Sequence, residues 1–527
     1  MIYHCEDHTC NYWDEGEKLP ERCPQCGRKL LRANEADMTG DDWTALGNTL
    51  WDAEASDKKR MVDCFRKAAY LGSAWGVCNL GICMEQGNGV EADPVQAFWL
   101  YQQAVEMGSL NAVCCLGVCY QYGIGTAPDA EKAAELYCKA AEYGSPRGQM
   151  LLARAFHDGI GVEADAAEAV HWVRAAAYQR YGEGMYRLGV CYEYGDGVEQ
   201  NWEHAVHWFR EAAESGVSTA MTDLGYCYEK GCGVEQSWEQ AFSWYRRGAE
   251  CGYPVSMSNL GLCYKRGYGV EQNWQEAIKW YEQGAQCGDL QCMHNLACCY
   301  EHGEGVEQNM TEAIRWYTAA AEGGNADAMH NLGWHYDHGE GVEQDMKKAI
   351  CWYERAAKQN RPAAMNSLGE CYAMGRGVPR DLETAMEWYR RAAELGEAMA
   401  DYNMGWHLEQ AGKLSEAYAH YRKAADGNDD SAWWALGRFY ENGVVVAQDG
   451  KEARRCYETG EKLGSVKCKM RLARCKLLGI GGRRAKKAGL DLCRQALELA
   501  KESSEKEDYG YEAEMNLLRR TIAENES

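Results

Sequence analysis

The stretch Met257–Gly288, MSNLGLCYKRGYGVEQNWQEAIKWYEQGAQCG, decides the fold. In its first half Met257, Leu260, Gly261 and Tyr264 recur at helical spacing. Gly267-Tyr268-Gly269-Val270 follows. The first glycine suits the left-handed position that closes a helix, and the second keeps the turn tight. Asn273 reads as the N-cap of a second helix, with Glu276 three residues on completing a capping box. In that helix Ala277, Trp280, Tyr281 and Gly284 or Ala285 form an apolar stripe, and Gly288 ends it. One unit is therefore helix A, a Gly-x-Gly-Val turn, helix B and a short turn.

Working outward, the same unit repeats. Its Leu-Gly pair, or a close variant, stands at Leu46, Leu80, Leu116, Leu152, Leu188, Leu224 and Leu260. It continues at Leu296, Leu332, Leu368, Met404, Leu436 and Leu472, which makes about thirteen units. The spacing is 34 residues once, 36 nine times, then 32 and 36, a register chance does not hold. The turn glycines recur from Gly87/Gly89 to Gly375/Gly377. A helix-B tryptophan recurs at Trp99, Trp172, Trp208, Trp244, Trp280, Trp316, Trp352 and Trp388. One aromatic per unit at constant phase reads as inter-helix core rather than a ligand-stacking box.

These residues resemble the Sel-1-like repeat family, relatives of the tetratricopeptide repeats, through the pattern A-x3-LG-x2-Y-x2-G-x-GV-x10-A-x2-WY-x2-AA-x2-G. The match covers about residues 40–480. It implies an all-α fold, a right-handed α-solenoid whose first helices line a concave face, and adaptor or scaffold work for protein partners. Residues 481–527 read as a C-terminal helical cap that closes the array. The unit after Met404 lacks the Gly-x-Gly-Val turn and is four residues short, and Gly443-Val444-Val445-Val446 has lost one turn glycine. Curvature is expected to change there.

Composition sets the bounds. The chain has 527 residues, only 8 prolines, and a formal charge of −24. That charge disfavours nucleic acid, which requires clustered Lys and Arg. No apolar run long enough for a membrane span occurs. No charged-then-apolar leader opens the chain, so a cytoplasmic location is expected. There the 26 cysteines are reduced thiols or metal ligands, not a disulfide framework.

Residues 1–32 stand outside the repeat. Cys23-Pro24-Gln25-Cys26-Gly27 has the spacing of a zinc knuckle, in which two thiolates grip one tetrahedral ion. The other ligands come from Cys5, His8 and Cys10: Cys5 with His8 has knuckle spacing, and Cys5 with Cys10 is wider. The segment resembles rubredoxin-like zinc ribbons in Trp13-Asp14-Glu15-Gly16 and Cys23-Pro24-x-Cys26, although a clean C-x2-C first pair is missing. So short a module requires a staple, and structural Zn2+ is the natural one.

Several columns run along helix A. Cys83, Cys119, Cys191, Cys227, Cys263, Cys299, Cys371 and Cys475 share one phase and read as small buried residues, too far apart for disulfides or chelation. Asn79, Asn259, Asn295, Asn331 and Asn403, with Arg187 and Arg471 at the same phase, are peptide-binding candidates, since an amide pairs with an extended backbone. The alternative for the amides is bonding to the neighbouring repeat. Glu193, Glu229, Glu301, Asp337, Glu409 and Glu441 read as a solvated face or a groove border. His302, His335 and His338 are the one metal-like cluster in the array, with exposed histidines the default reading. Lys467, Lys469, Arg471, Arg474, Lys476, Arg483, Arg484, Lys486 and Lys487 form a basic end: a second contact patch, an oligomer contact with an acidic face, or a charged cap.

The leading function is a non-enzymatic adaptor that binds a protein or peptide on the concave face. A hydrolase, such as one acting on β-lactams, is one alternative, but no nucleophile elbow, phosphate loop or partnered Ser-x-x-Lys supports it. A zinc-ribbon nucleic-acid adaptor is the other, and the charge opposes it.

Overall fold

The computed structural model describes residues 2–5, 13–15, 30–32, 38–51, 55–506 and 511–526. The described chain opens with a small antiparallel sheet of β1 (Ile2–Cys5), β2 (Trp13–Glu15) and β3 (Leu30–Arg32). Its order is β2-β1-β3, with Cys5 opposite Leu30. Twenty-seven helices follow among the described residues, running from Gly40–Thr49 to Glu512–Glu526. Each of the thirteen Leu-Gly centres lies in the first helix of a pair, and one further helix ends the array. The fold is an all-helical repeat solenoid. It divides into two compact units, Met1–Asn273 and Trp274–Ser527.

Within each unit every helix packs on the next, and successive first helices also touch one another. The core is a strip that runs from repeat to repeat, not one central ball. Its anchor is a tyrosine of helix B. Tyr101, Tyr137, Tyr245, Tyr317, Tyr353, Tyr389, Tyr421 and Tyr457 are wholly buried. The ring lies on the glycine of the Leu-Gly pair. A Cβ on Gly225 would meet the Tyr245 ring at 2.6 Å, and one on Gly369 would meet Tyr389 at 2.5 Å. The missing side chain gives the ring its room at these positions, and at Ala297, opposite Tyr317, the packing adapts to a methyl group.

The tyrosine hydroxyl is satisfied by the acidic column. It donates to Glu85 (2.6 Å), Glu229 (2.9 Å), Glu301 (2.5 Å), Asp337 (3.4 Å), Glu409 (2.7 Å) and Glu441 (2.8 Å), and Gln121 fills that role for Tyr137. This corrects the reading of that column as a solvated face or groove border. A buried phenol requires an acceptor, and these side chains reach in to supply it. Glu193 is the exception, because its helix-B partner is Phe209.

The tryptophan column is core in part: Trp244 lies in it, and Trp172, Trp208, Trp316, Trp352 and Trp388 pack against it. From Trp208 onward the fully buried ring is the residue after the tryptophan. Trp99 is 63% exposed, most of the others are half-buried, and only Trp244 is buried. Arginines lie over four of these rings, at 4.2–4.5 Å: Arg247 on Trp244, Arg355 on Trp352 and Arg391 on Trp388 from three residues on, and Arg315 on Trp316 from the residue before. The cysteine column is buried throughout, as expected of small residues between close helices.

The turns behave as the sequence suggests. The first glycine caps helix A in the left-handed region, as Gly231 does at φ 75°. The second also has positive φ, and it is crowded: a Cβ on Gly233 would lie 2.3 Å from the Trp202 carbonyl of the preceding repeat. Asp, Asn or Ser caps most second helices, for example Asn201 on His204 N and Asp345 on Lys348 N. In the short repeat Lys413 takes the cap position with no side-chain bond. No helix among the described residues is long and apolar enough to cross a membrane.

Candidate protein-binding surface

The core side of helix A carries the Leu, Gly, Cys and aromatic columns. The opposite side is set by residues seven and then four apart, which fall on one helical stripe. That stripe holds large apolar side chains in both units. In the first unit it carries Trp75 (61% exposed), Tyr122, Tyr194 (73%), Tyr226, Val255 and Leu262. In the second it carries Met374, Met399 and Trp406 (42%). Soluble surfaces rarely expose such residues in rows without a use.

Beside this stripe run the amides proposed as peptide clamps. Asn79 is buried and donates to Asn48 Oδ1 at 2.8 Å in the preceding repeat. Asn331 lies 3.2 Å from His294 Nε2, and Asn403 donates to Asn366 (3.0 Å) and Glu370 (3.2 Å), again one repeat back. Asn295 accepts from Gln291 at 3.1 Å within its own helix, and Asn259 is half-buried. The column thus stitches repeats together at three of its positions. Arg187, by contrast, is exposed and forms no hydrogen bond or ion pair among the described residues.

Arg187 stands at a cavity of about 410 Å³ that appears where the repeat pattern breaks. Helix B here carries Val173 where most units have tyrosine, and helix A carries His157 where they have the carboxylate. With the phenol–carboxylate pair gone, space opens above Val170, Val173, Met150 and Ala153. His157 is held from both ring nitrogens, by Asp158 at 2.7 Å and Asp196 at 3.1 Å. The Asp158 hydrogen bond raises its pKa and favours the imidazolium. The coincident break of two columns at one repeat is the sequence signal for this site.

In the next two repeats Glu193 and Asp223 carry raised pKa values, chiefly from burial; the charge of Asp223 adds to the shift of Glu193. Asp223 bonds Tyr186, but Phe209 offers Glu193 no hydroxyl.

The other sequence candidates have structural duties. His302 and His338 each bond a backbone carbonyl of their own helix, at 2.9 and 3.0 Å. His335 is buried beside Glu301 at 3.7 Å, contrary to the default of exposed histidines. Among the described residues no group of three or more metal-binding side chains forms. At the basic end Arg471 forks onto Glu514 with two bonds of 2.7 Å, Arg474 pairs with Glu441, and Arg484 bonds Asn525. Those three arginines close the array, as a charged cap does. Of the zinc candidates, Cys5 ends β1, while His8, Cys10, Cys23 and Cys26 lie outside the described residues.

A family model described as Sel1 repeat matches eleven segments of this chain, the first at residues 76–109 and the last at 432–465. The chain belongs to the Sel1 repeat family. Most Sel1 segments begin at or near the start of a first helix and end at the turn after the second. The helix pairs at 40–70 and 466–506 share the architecture outside the matched Sel1 segments. Among solved structures, a protective antigen of uropathogenic Escherichia coli with an SLR fold is similar at 29% identity and a TM-score of 0.56. The alignment covers 81% of this chain and 94% of that one. A Sel1 repeat protein of Oxalobacter formigenes is 31% identical with a TM-score of 0.43, over 46% of this chain and 96% of that one. No curated protein matches the chain.

Proposed function

We propose that this chain is a non-catalytic, cytoplasmic scaffold that binds a partner protein or peptide along the exposed face of its first helices. Repeat solenoids of this kind generally serve as protein-interaction scaffolds, because stacking yields an extended surface instead of a single pocket. The observation that carries the reading is the apolar stripe that each unit exposes by itself, Trp75, Tyr122, Tyr194, Tyr226 and Leu262 in the first and Met374, Met399 and Trp406 in the second. Aromatic side chains there offer large contact area at low entropic cost. Asn79, Arg187, Asn259, Asn295, Asn331 and Asn403 flank it as polar contacts. A partner is isolated on the immobilised chain, purified, and its affinity measured by calorimetry. Replacing Trp75, Tyr226 and Trp406 by serine weakens binding at least 10-fold. Serine at Tyr70 and Tyr143, exposed at the far ends of second helices, leaves it unchanged. The reverse pattern removes the first-helix face from consideration.

The N-terminal module is proposed to hold structural zinc through Cys23 and Cys26 with two of Cys5, His8 and Cys10. The pairing of Cys5 with Leu30 supports this, since Leu30 stands only four residues beyond Cys26 in the sequence. Zinc at one equivalent in freshly purified full-length chain, lost in Cys23→Ser/Cys26→Ser, is the expected result. Metal-free protein under reducing conditions rejects it.

A further inference from the structure

Among the cavity, the buried thiols and the acidic pair Glu193–Asp223, the cavity beside Val173 has walls that specify a ligand. We propose that it binds an apolar group carrying a carboxylate, of the kind presented by a C-terminal leucine or by a free branched-chain acid.

The floor and size set the apolar part. Val170, Val173, Met150 and Ala153 line one side, and 410 Å³ lies within the range of small-ligand sites, about 300–1,000 Å³. The space lies where the tyrosine ring of other repeats would stand. The polar rim sets the charge. Three acids line it, but each is engaged. Asp158 and Asp196 hold His157, Asp158 also takes Arg154 Nε at 3.3 Å, and Glu183 accepts from Tyr181 at 3.3 Å. Arg187 alone has its guanidinium donors unengaged, and a guanidinium fork matches a carboxylate. His157 as imidazolium adds positive charge and weakens the pull of the two aspartates.

The test uses the full chain and three probes: N-acetyl-leucine, N-acetyl-leucinamide, and an eight-residue peptide ending in a free leucine carboxylate. The acid binds at least 10-fold more tightly than the amide by ligand-observed NMR. Arg187→Gln and Val173→Tyr each weaken the acid at least 10-fold. Val173→Tyr refills the cavity with the residue that other repeats carry, and Tyr317 opposite Ala297 shows that the ring is accommodated even where alanine replaces glycine. An unchanged circular-dichroism melt separates loss of the site from loss of fold. Equal affinity for acid and amide overturns the proposal, and so does full affinity in Val173→Tyr. A peptide at least 10-fold tighter than N-acetyl-leucine assigns the site to a partner's C-terminus, an arm that rests on the scaffold reading. Equal binding of the two assigns it to a small acid. Partner capture that survives Val173→Tyr leaves the scaffold reading intact and separates the two claims.

Discussion

Gly225 shows how one missing atom organises a repeat. Its Cβ would sit 2.6 Å from a Tyr245 ring atom, inside any normal contact, and that ring is wholly buried. Gly225→Ala is expected to cost about 1–3 kcal/mol, the usual range for overpacking. The natural escape is visible at residue 153, where alanine faces Val173. A Gly225→Ala/Tyr245→Val cycle in guanidinium melts therefore gives a double variant less destabilised than the sum of the singles, by about 1 kcal/mol or more. Additive costs reject the contact. His330 makes a second test at this scale. Burial, aided by the Arg361 charge, lowers its pKa from 6.5 to about 4. Below pH 6.5 the unfolded chain takes up a proton that the folded chain refuses until about pH 4, so stability falls as pH drops through that window. The loss from this group reaches about 2 kcal/mol by pH 5. His330→Asn removes that increment from the pH 7 to pH 5 difference in melting midpoint. An unchanged difference means that the imidazole is protonated in the fold.

At the scale of the element, the turn between paired helices was readable because glycine marks it in the sequence. What glycine does there was only half readable. The left-handed conformation follows from the residue type, whereas the approach of Gly233 to the Trp202 carbonyl involves a residue 31 positions away. The exception exposes the constraint. Val445 occupies the second turn position at φ 64°, a region that β-branched residues avoid. It follows the short repeat that ends at Asp426 and is exposed to solvent. Val445→Gly relieves the strained backbone at some entropic loss in the unfolded chain, for a net gain of about 0.5–1 kcal/mol. Slower amide exchange in Asp430–Asn442 and Gly450–Lys462 is the expected readout. Faster exchange means that the valine side chain contributes more by packing than its backbone costs.

For the whole molecule, the repeat count and pairing were legible because each unit contacts its neighbours through the same few positions, which leaves a periodic trace. Features tied to pairs of columns were not. The acidic row looked solvated because its tyrosine partners lie mostly 16 residues downstream, in the next helix. The tryptophans read as the core rings, yet the deeper ring is that of the neighbouring tyrosine, one residue on. The basic end could be read either as a contact patch or as a cap, because Glu514 lies 43 residues from Arg471. That last pair has a consequence for how the array fails. Arg471 and Glu514 are both nearly covered, at 14% and 8% side-chain exposure, so Glu514→Ala leaves a guanidinium with only Glu441 at 3.4 Å. The cost is about 2–4 kcal/mol, below the ~3–5 kcal/mol of a buried charge left with no partner, because Glu441 remains. In a single globule such a loss would spread to every element. In a nearest-neighbour array it stays local. Amide exchange in Glu514→Ala is expected to rise in Val466–Leu478, Lys486–Lys506 and Glu512–Glu526, and to stay unchanged in Leu290–His302 and Ala326–His338. A uniform rise across all five helices shows that this half of the chain unfolds as one cooperative body.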